Sequence, residues 1–194
     1  MQATLWRGRR FWPLFVTQFL GAFNDNLFKN ALVILITFRA VTVAGVPPGQ
    51  MVALAGGIFI LPFLLFSAVA GQLSDKLDKA AMIRATKVAE VAIMGLGAVG
   101  FWTGQVGLLL GVLFLMGLQS TVFGPCKYSI LPQHLDEAEL VGGNAMIELG
   151  TYLAILLGTM AGGLLVAMEG GERWVAVEFV EVFEEHLTLA DVGC

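Results

Sequence analysis

Residues 51–72 read MVALAGGIFILPFLLFSAVAGQ, 22 residues without a single charge. A bilayer core of about 30 Å takes roughly 20 mostly apolar residues as a helix. That length and composition make this stretch a membrane span. Outward from it lie four more candidates, at about 12–38, 85–103, 105–124 and 145–168, of which 105–124 is also free of charge. Only helices and closed barrels satisfy their backbone inside lipid, and the 10-residue alternation of barrel strands is absent. The expected fold is therefore an all-α polytopic bundle. Its 24 glycines suit that setting, because small residues let membrane helices approach closely.

Composition agrees. The chain is 57% hydrophobic and only 13% charged, against about 25% charged in ordinary soluble domains, and its mean hydropathy is +0.81. Two cysteines are too few for a secreted disulfide scaffold. A net charge of −4 without a basic stripe leaves no role for nucleic acid. Arg7, Arg9 and Arg10 before an apolar run resemble a signal peptide, but that run is too long and holds Asn24, Asp25, Asn26, Lys29 and Asn30.

Lys and Arg in the short connections predict the orientation. With the N-terminus inside, the inner segments hold Arg7, Arg9, Arg10, Lys76, Lys79, Arg84, Lys87 and Lys127, and the outer ones Arg39 and Arg173. The N-terminus is expected to be cytoplasmic. Residues 1–168 form the bundle. Residues 169–194 carry seven acidic side chains and no apolar run of spanning length. They are a non-membrane tail, either an extracytoplasmic appendage or, the favoured reading, a departure from the original frame near residue 170.

Ionisable groups within a span are functional candidates by default. At 100° per residue, Gln18, Asp25 and Lys29 fall within about 40° of one another on one helix face. Asp25 and Lys29 stand at i, i+4 with the acid first, a spacing at which they neutralise each other. Asn26 and Asn30 form an adjacent polar stripe beside Asn24. Two readings stay open: a structural ion pair joining helices, or the polar wall of a substrate or ion path.

A second segment, Gly71-Gln-Leu-Ser-Asp75-Lys76-Leu-Asp78-Lys79, falls between the second and third spans, with Gly71 at a helix end and alternating charge behind it. It suits either a solvated turn or a latch that pairs charges with helix dipoles across a moving interface. Farther on, Pro125 and Pro132 bracket Lys127 and Tyr128 and are expected to prevent one unbroken helix there. Lys127 and Tyr128 are candidates for an inner-mouth loop that captures a headgroup or contacts a partner, beside the plainer reading of a helix-turn connection. Glu148 shares a helix face with Asn144 and Tyr152. Whether it pairs with Lys127 or lines the cavity stays open. Gly158-x-x-x-Gly162-Gly163 reads as a close-packing surface. Cys126 lacks partners at metal-ligand spacing and is expected to be structural.

The pattern Gly71-x-Leu-Ser-Asp75-Lys76-x-x-Lys79 resembles the loop signature of the major facilitator superfamily, with two departures: Asp78 where glycine is usual, and Ala80 where a base is common. Within that superfamily, Thr17-Gln-Phe-Leu-Gly-Ala-Phe-Asn-Asp-Asn26 and Phe123-Gly-Pro-Cys-Lys-Tyr-Ser-Ile-Leu-Pro-Gln-His134 are similar to the bacterial lysophospholipid transporter branch. The resemblance covers about residues 10–168 and implies five of the six helices of the N-terminal half of a twelve-helix transporter. It implies flipping of lysophospholipid across the bacterial inner membrane by alternating access. It also implies membrane lipid as surroundings, a C-terminal half or second chain as partner, and an acyltransferase as partner or fused domain. Without that second half, Asp25 and Lys29 are expected to face lipid. Alternatives are another facilitator exporting solutes or drugs, and a non-transporting scaffold for an acyltransferase. His186 and Asp191 match the His-x4-Asp pattern of glycerolipid acyltransferases, but two residues at one spacing are common by chance. No catalytic residue, cofactor or metal is expected.

Overall fold

The computed structural model describes residues 11–38, 45–168, 170, 171 and 175. The expectations for Arg7, Arg9, Arg10, Arg39, Arg173, His186, Asp191 and most of the acidic tail lie outside them. The described residues form five helices: α1 (Trp12–Phe38), α2 (Pro48–Lys76), α3 (Lys79–Thr103), α4 (Val106–His134) and α5 (Glu137–Ala167). Four of them, all but α3, are long and apolar enough to cross a membrane. In α3, Lys87 and Glu90 lower the hydropathy of the stretch. They are nevertheless buried, at 4% exposure each, so this pair faces protein.

The connections are shorter than the hydropathy pattern suggests, because the helices run past the apolar runs. Gly71, Asp75 and Lys76 lie in the last turns of α2 and Lys79 opens α3. The expected latch loop thus shrinks to Leu77 and Asp78. Asp78 caps α3: its carboxylate accepts from the Ala81 N–H at 2.8 Å, which satisfies one of the orphan donors of the helix start. Gly104 ends α3 in the left-handed region, at φ 67°. Glu139 reaches back to the Asp136 N–H at 3.3 Å, at the start of α5.

The expected break at Pro125 and Pro132 does not occur. Both prolines sit inside α4, which is continuous through Lys127 and Tyr128 to His134. Those two residues are therefore helical and belong to no loop. A helix packed among others tolerates the missing N–H groups, and Gly124 presents no Cβ to the Pro125 ring. Lys76, Lys79, Arg84, Lys87 and Lys127 all lie within helices, so none of them belongs to a connection.

Helix pairing follows the small residues. α1 packs most extensively on α5, α2 on α4, and α3 on α4. A Cβ built on Gly158 would strike the Phe23 carbonyl, one on Gly162 the Leu27 carbonyl, and one on Gly117 the Phe59 carbonyl. The glycine surface of α5 thus seats the backbone of α1, and Gly117 seats α2 on α4.

Two apolar clusters cap the bundle. The larger joins Leu27, Phe28, Leu32 and Ile36 of α1 to Met94 and Phe101 of α3 and Leu109 and Leu113 of α4. The smaller, at the opposite end, gathers Phe11, Leu131, Leu135 and Ile147. Polar side chains occupy the level between them.

A candidate substrate cavity

At that middle level lies a cavity of about 330 Å³, at the low end of the size of ligand sites. α1 contributes Gln18, Asp25 and Asn26, α3 contributes Lys87 and Glu90, and α4 contributes Gln119, Ser120 and Lys127. Phe59 and Phe63 of α2, Phe123 of α4 and Ile155 of α5 supply its apolar walls. A set of polar groups thus faces aromatic and aliphatic surface across one space.

Asp25 is held from another helix. The Ser120 hydroxyl donates to its Oδ2 at 2.5 Å, the length of a charge-assisted O–H···O⁻ bond. The same hydroxyl lies 3.2 Å from Gln119 Oε1, and Gln119 Nε2 donates to Glu90 Oε2 at 2.7 Å. Lys87 Nζ donates to that same Oε2 at 2.7 Å and to the Thr17 carbonyl at 3.2 Å, and stands 4.5 Å from the centre of the Phe123 ring. One continuous polar chain therefore links α3, α4 and α1.

The i, i+4 pairing of Asp25 with Lys29 is not what forms. Lys29 Nζ donates instead to Asn26 Oδ1 at 2.9 Å and lies 5.3 Å from the Phe59 ring centre. The reason is competition: Asn26 is one residue nearer along the helix, and Asp25 is already engaged by Ser120. Both are partly buried, Asp25 lining the cavity and Lys29 lying against Phe59 of α2. Gln18 does line the cavity, tied to α5 by its amide donating to the Ile147 carbonyl at 3.2 Å and by its carbonyl accepting from Thr151 at 2.9 Å.

Asn30 serves the α1–α5 contact, donating to the Thr159 carbonyl at 2.6 Å. Asn24 is buried, with its amide nitrogen unmatched, and lies off the cavity lining. Glu148 accepts a hydrogen bond from the Tyr128 hydroxyl, joining α5 to α4. It stands outside the lining, whereas Lys127 and Tyr128 are within it. Ser120, Gly124 and Lys127 follow one another at i, i+4 and i+7 on one face of α4. A Cβ on Gly124 would meet nothing within 4 Å, so that face borders open space.

Lys87, Glu90, Gln119 and Ser120 were not among the candidates drawn from the sequence. Lys87 counts there as a connecting charge, and Gln119 and Ser120 are unremarkable in an apolar run. One signal does exist: an i, i+3 Lys–Glu pair close to an apolar stretch is as costly as Asp25 and calls for the same question. Cys126 is buried, its Sγ 4.0 Å from Met82 Sδ. Among the described residues no cluster of three or more His, Cys, Asp or Glu could hold a metal.

A helical bundle of spanning length with a charged, hydrogen-bonded interior defines a multi-pass membrane protein built around a polar cavity. Residues 41–187 match the family described as transmembrane secretion effector, and the chain belongs to that family of the major facilitator superfamily. It is also similar to the lysophospholipid transporters of Salmonella paratyphi B and Salmonella heidelberg. Each is 32% identical over 155 residues, which cover 77% of this chain and 34% of the relative. The chain thus spans about a third of the length of the curated relatives it matches. No solved structure matches.

Proposed function

We propose that this chain forms the first part of a transporter that flips lysophospholipids across the bacterial inner membrane. The observation that carries the reading is the cavity itself, in which Asp25, Gln18 and Asn26 face Phe59, Phe63 and Ile155 across one space. A single-chain lipid presents the matching pair of surfaces, a charged headgroup and an apolar tail. Asp25 takes the cationic end of a zwitterionic headgroup, Lys127 stands two turns from Ser120 on the α4 face for the phosphate, and the aromatic wall takes the tail. The relatives, lysophospholipid transporters by name, support the substrate class. A cavity of this size holds a headgroup and not a whole lipid, so the tail lies along the bundle surface or a second half.

In this reading the N-terminus is cytoplasmic, and a second helical half, in the same or another polypeptide, completes the path. Alternating access rocks the two halves about the site. Export of a different solute is the second reading, favoured by the family's description as a secretion effector. Fluorescent lysophosphatidylethanolamine flux into proteoliposomes separates the two. Asp25→Asn at equal membrane abundance is expected to lower that flux at least about tenfold, the cost of weakening one charged contact. Wild-type flux from this variant would remove Asp25 from the path, and no lysolipid flux from the intact protein would favour the second reading.

A further inference from the structure

The Lys87–Glu90 pair occupies a place that structural glue alone does not require. It is buried, yet it forms part of the cavity lining, and the neighbouring helices are shaped around it. A Cβ on Gly21 of α1 would lie 2.8 Å from Lys87 Nζ and 3.2 Å from Glu90 Oε1, so the α1–α3 crossing leaves its room to these two side chains. The Thr17 carbonyl of α1 and the Phe123 ring of α4 complete the seat of the ammonium. Glu90 is tied through Gln119 to Ser120, which holds Asp25.

Charge counting gives this geometry a consequence. Lys87 and Glu90 cancel, and the other two charged residues of the lining, Asp25 and Lys127, carry opposite signs, so the wall is balanced. Losing either partner moves the wall by one unit in a medium that screens poorly. At about 10 Å and a protein-like dielectric, that changes the affinity for a charged headgroup on the order of tenfold. The sign depends on which partner goes.

We propose that Lys87 and Glu90 are the specificity-determining pair of the cavity, setting the headgroup charge it accepts by keeping the wall's charges balanced and Asp25 in position. The proposal rests on the lysophospholipid reading for its natural substrate, but its test does not. With the pair intact the wall matches a headgroup that carries both signs, such as a phosphoethanolamine, over a purely anionic one. Glu90→Gln leaves Lys87 unneutralised and favours anionic headgroups, Lys87→Gln does the opposite, and the double variant returns the wall to its original charge.

The full-length protein, wild type and three variants, is assayed in two ways. Flux of lysophosphatidylethanolamine against lysophosphatidylglycerol is measured in proteoliposomes. Binding of dodecylphosphocholine against dodecyl phosphate is followed by tryptophan fluorescence in a mild non-ionic detergent. Opposite shifts of the affinity ratio in the two single variants, each about tenfold, with the double variant within about twofold of wild type, are the expected result. Equal losses for both headgroups in every variant, or unchanged ratios, overturn the proposal and leave a structural pair. If a single variant fails to accumulate, the double variant against the other single variant decides: a shifted ratio in the single and a restored one in the double sustain it, and any other outcome overturns it. Shifted amphiphile ratios without lysolipid flux from wild type would sink the lysolipid reading and keep the pair.

Discussion

Substituting Gly162 by alanine tests how far the bundle depends on the seating of α1 on α5. A Cβ at that position would strike the Leu27 carbonyl, which belongs to the backbone and cannot rotate away. Restoring ordinary contact requires the two helices to part locally by about 1 Å, a gap that forfeits a quarter to a half of each affected van der Waals well. The same retreat stretches the cross-helix hydrogen bonds. Asn30 to the Thr159 carbonyl starts at 2.6 Å and survives in weakened form. Gln18 to the Ile147 carbonyl starts at 3.2 Å and passes beyond bonding distance if the parting extends that far. Overpacking costs about 1–3 kcal/mol and a lost interhelical bond in lipid about 0.6 kcal/mol, so Gly162→Ala should destabilise by roughly 2–4 kcal/mol. The assay is thermal unfolding of detergent-solubilised protein, read as the fraction still monodisperse after heating. Gly111→Ala is the control, because a Cβ there meets nothing within 4 Å, and it should melt at or slightly above wild type since alanine favours the helix. Equal midpoints for Gly162→Ala and Gly111→Ala would refute the packing argument.

Three further outcomes follow from the same geometry. Ser120→Ala removes the donor to Asp25 and should lower lysolipid flux by about tenfold or more with little change in melting, as expected for a hydrogen bond to a charged group worth about 1.5–3 kcal/mol; unchanged flux would mean Asp25 needs no positioning. Asp78→Ala strips the cap of α3 and should cost about 1 kcal/mol, whereas Asp78→Gly, the residue usual in the loop signature, should cost only a few tenths, and chemical unfolding that ranks the two the other way would contradict the cap. Lys29→Met should leave flux far closer to wild type than Asp25→Asn does, because Lys29 bonds Asn26 and lies off the cavity lining; equal losses in a parallel flux assay would restore the pairing that the spacing along α1 suggests.

By itself the sequence determined that this is a membrane bundle and where its apolar runs lie. The hydrophobic cost of placing a charge in lipid is paid residue by residue, so it is legible without knowing any neighbour: 51–72 and 105–124 could be nothing but spans. The close-packing surface at Gly158 and Gly162 was legible for a similar reason, since small residues at i, i+4 form a flat stripe whatever packs on it. Asp25 and Gln18 also stood out, being polar at the depth of a span, and both line the cavity.

Only the tertiary structure decided the partners. Spacing along α1 places Asp25 beside Lys29, but a hydrogen bond goes to the best-placed group in three dimensions. For Asp25 that group is Ser120, 95 residues away on α4. Lys87 counted as a connecting charge and Glu90, inside the 85–103 run, suggested no partner, and burial against α1 and α4 made them part of the cavity wall. Pro125 and Pro132 looked like breaks because a proline removes one backbone donor, yet α4 continues through both, since packing on its neighbours outweighs that local cost. Which residues are apolar is a property of the chain, and which helix face meets which other is a property of the packed bundle alone.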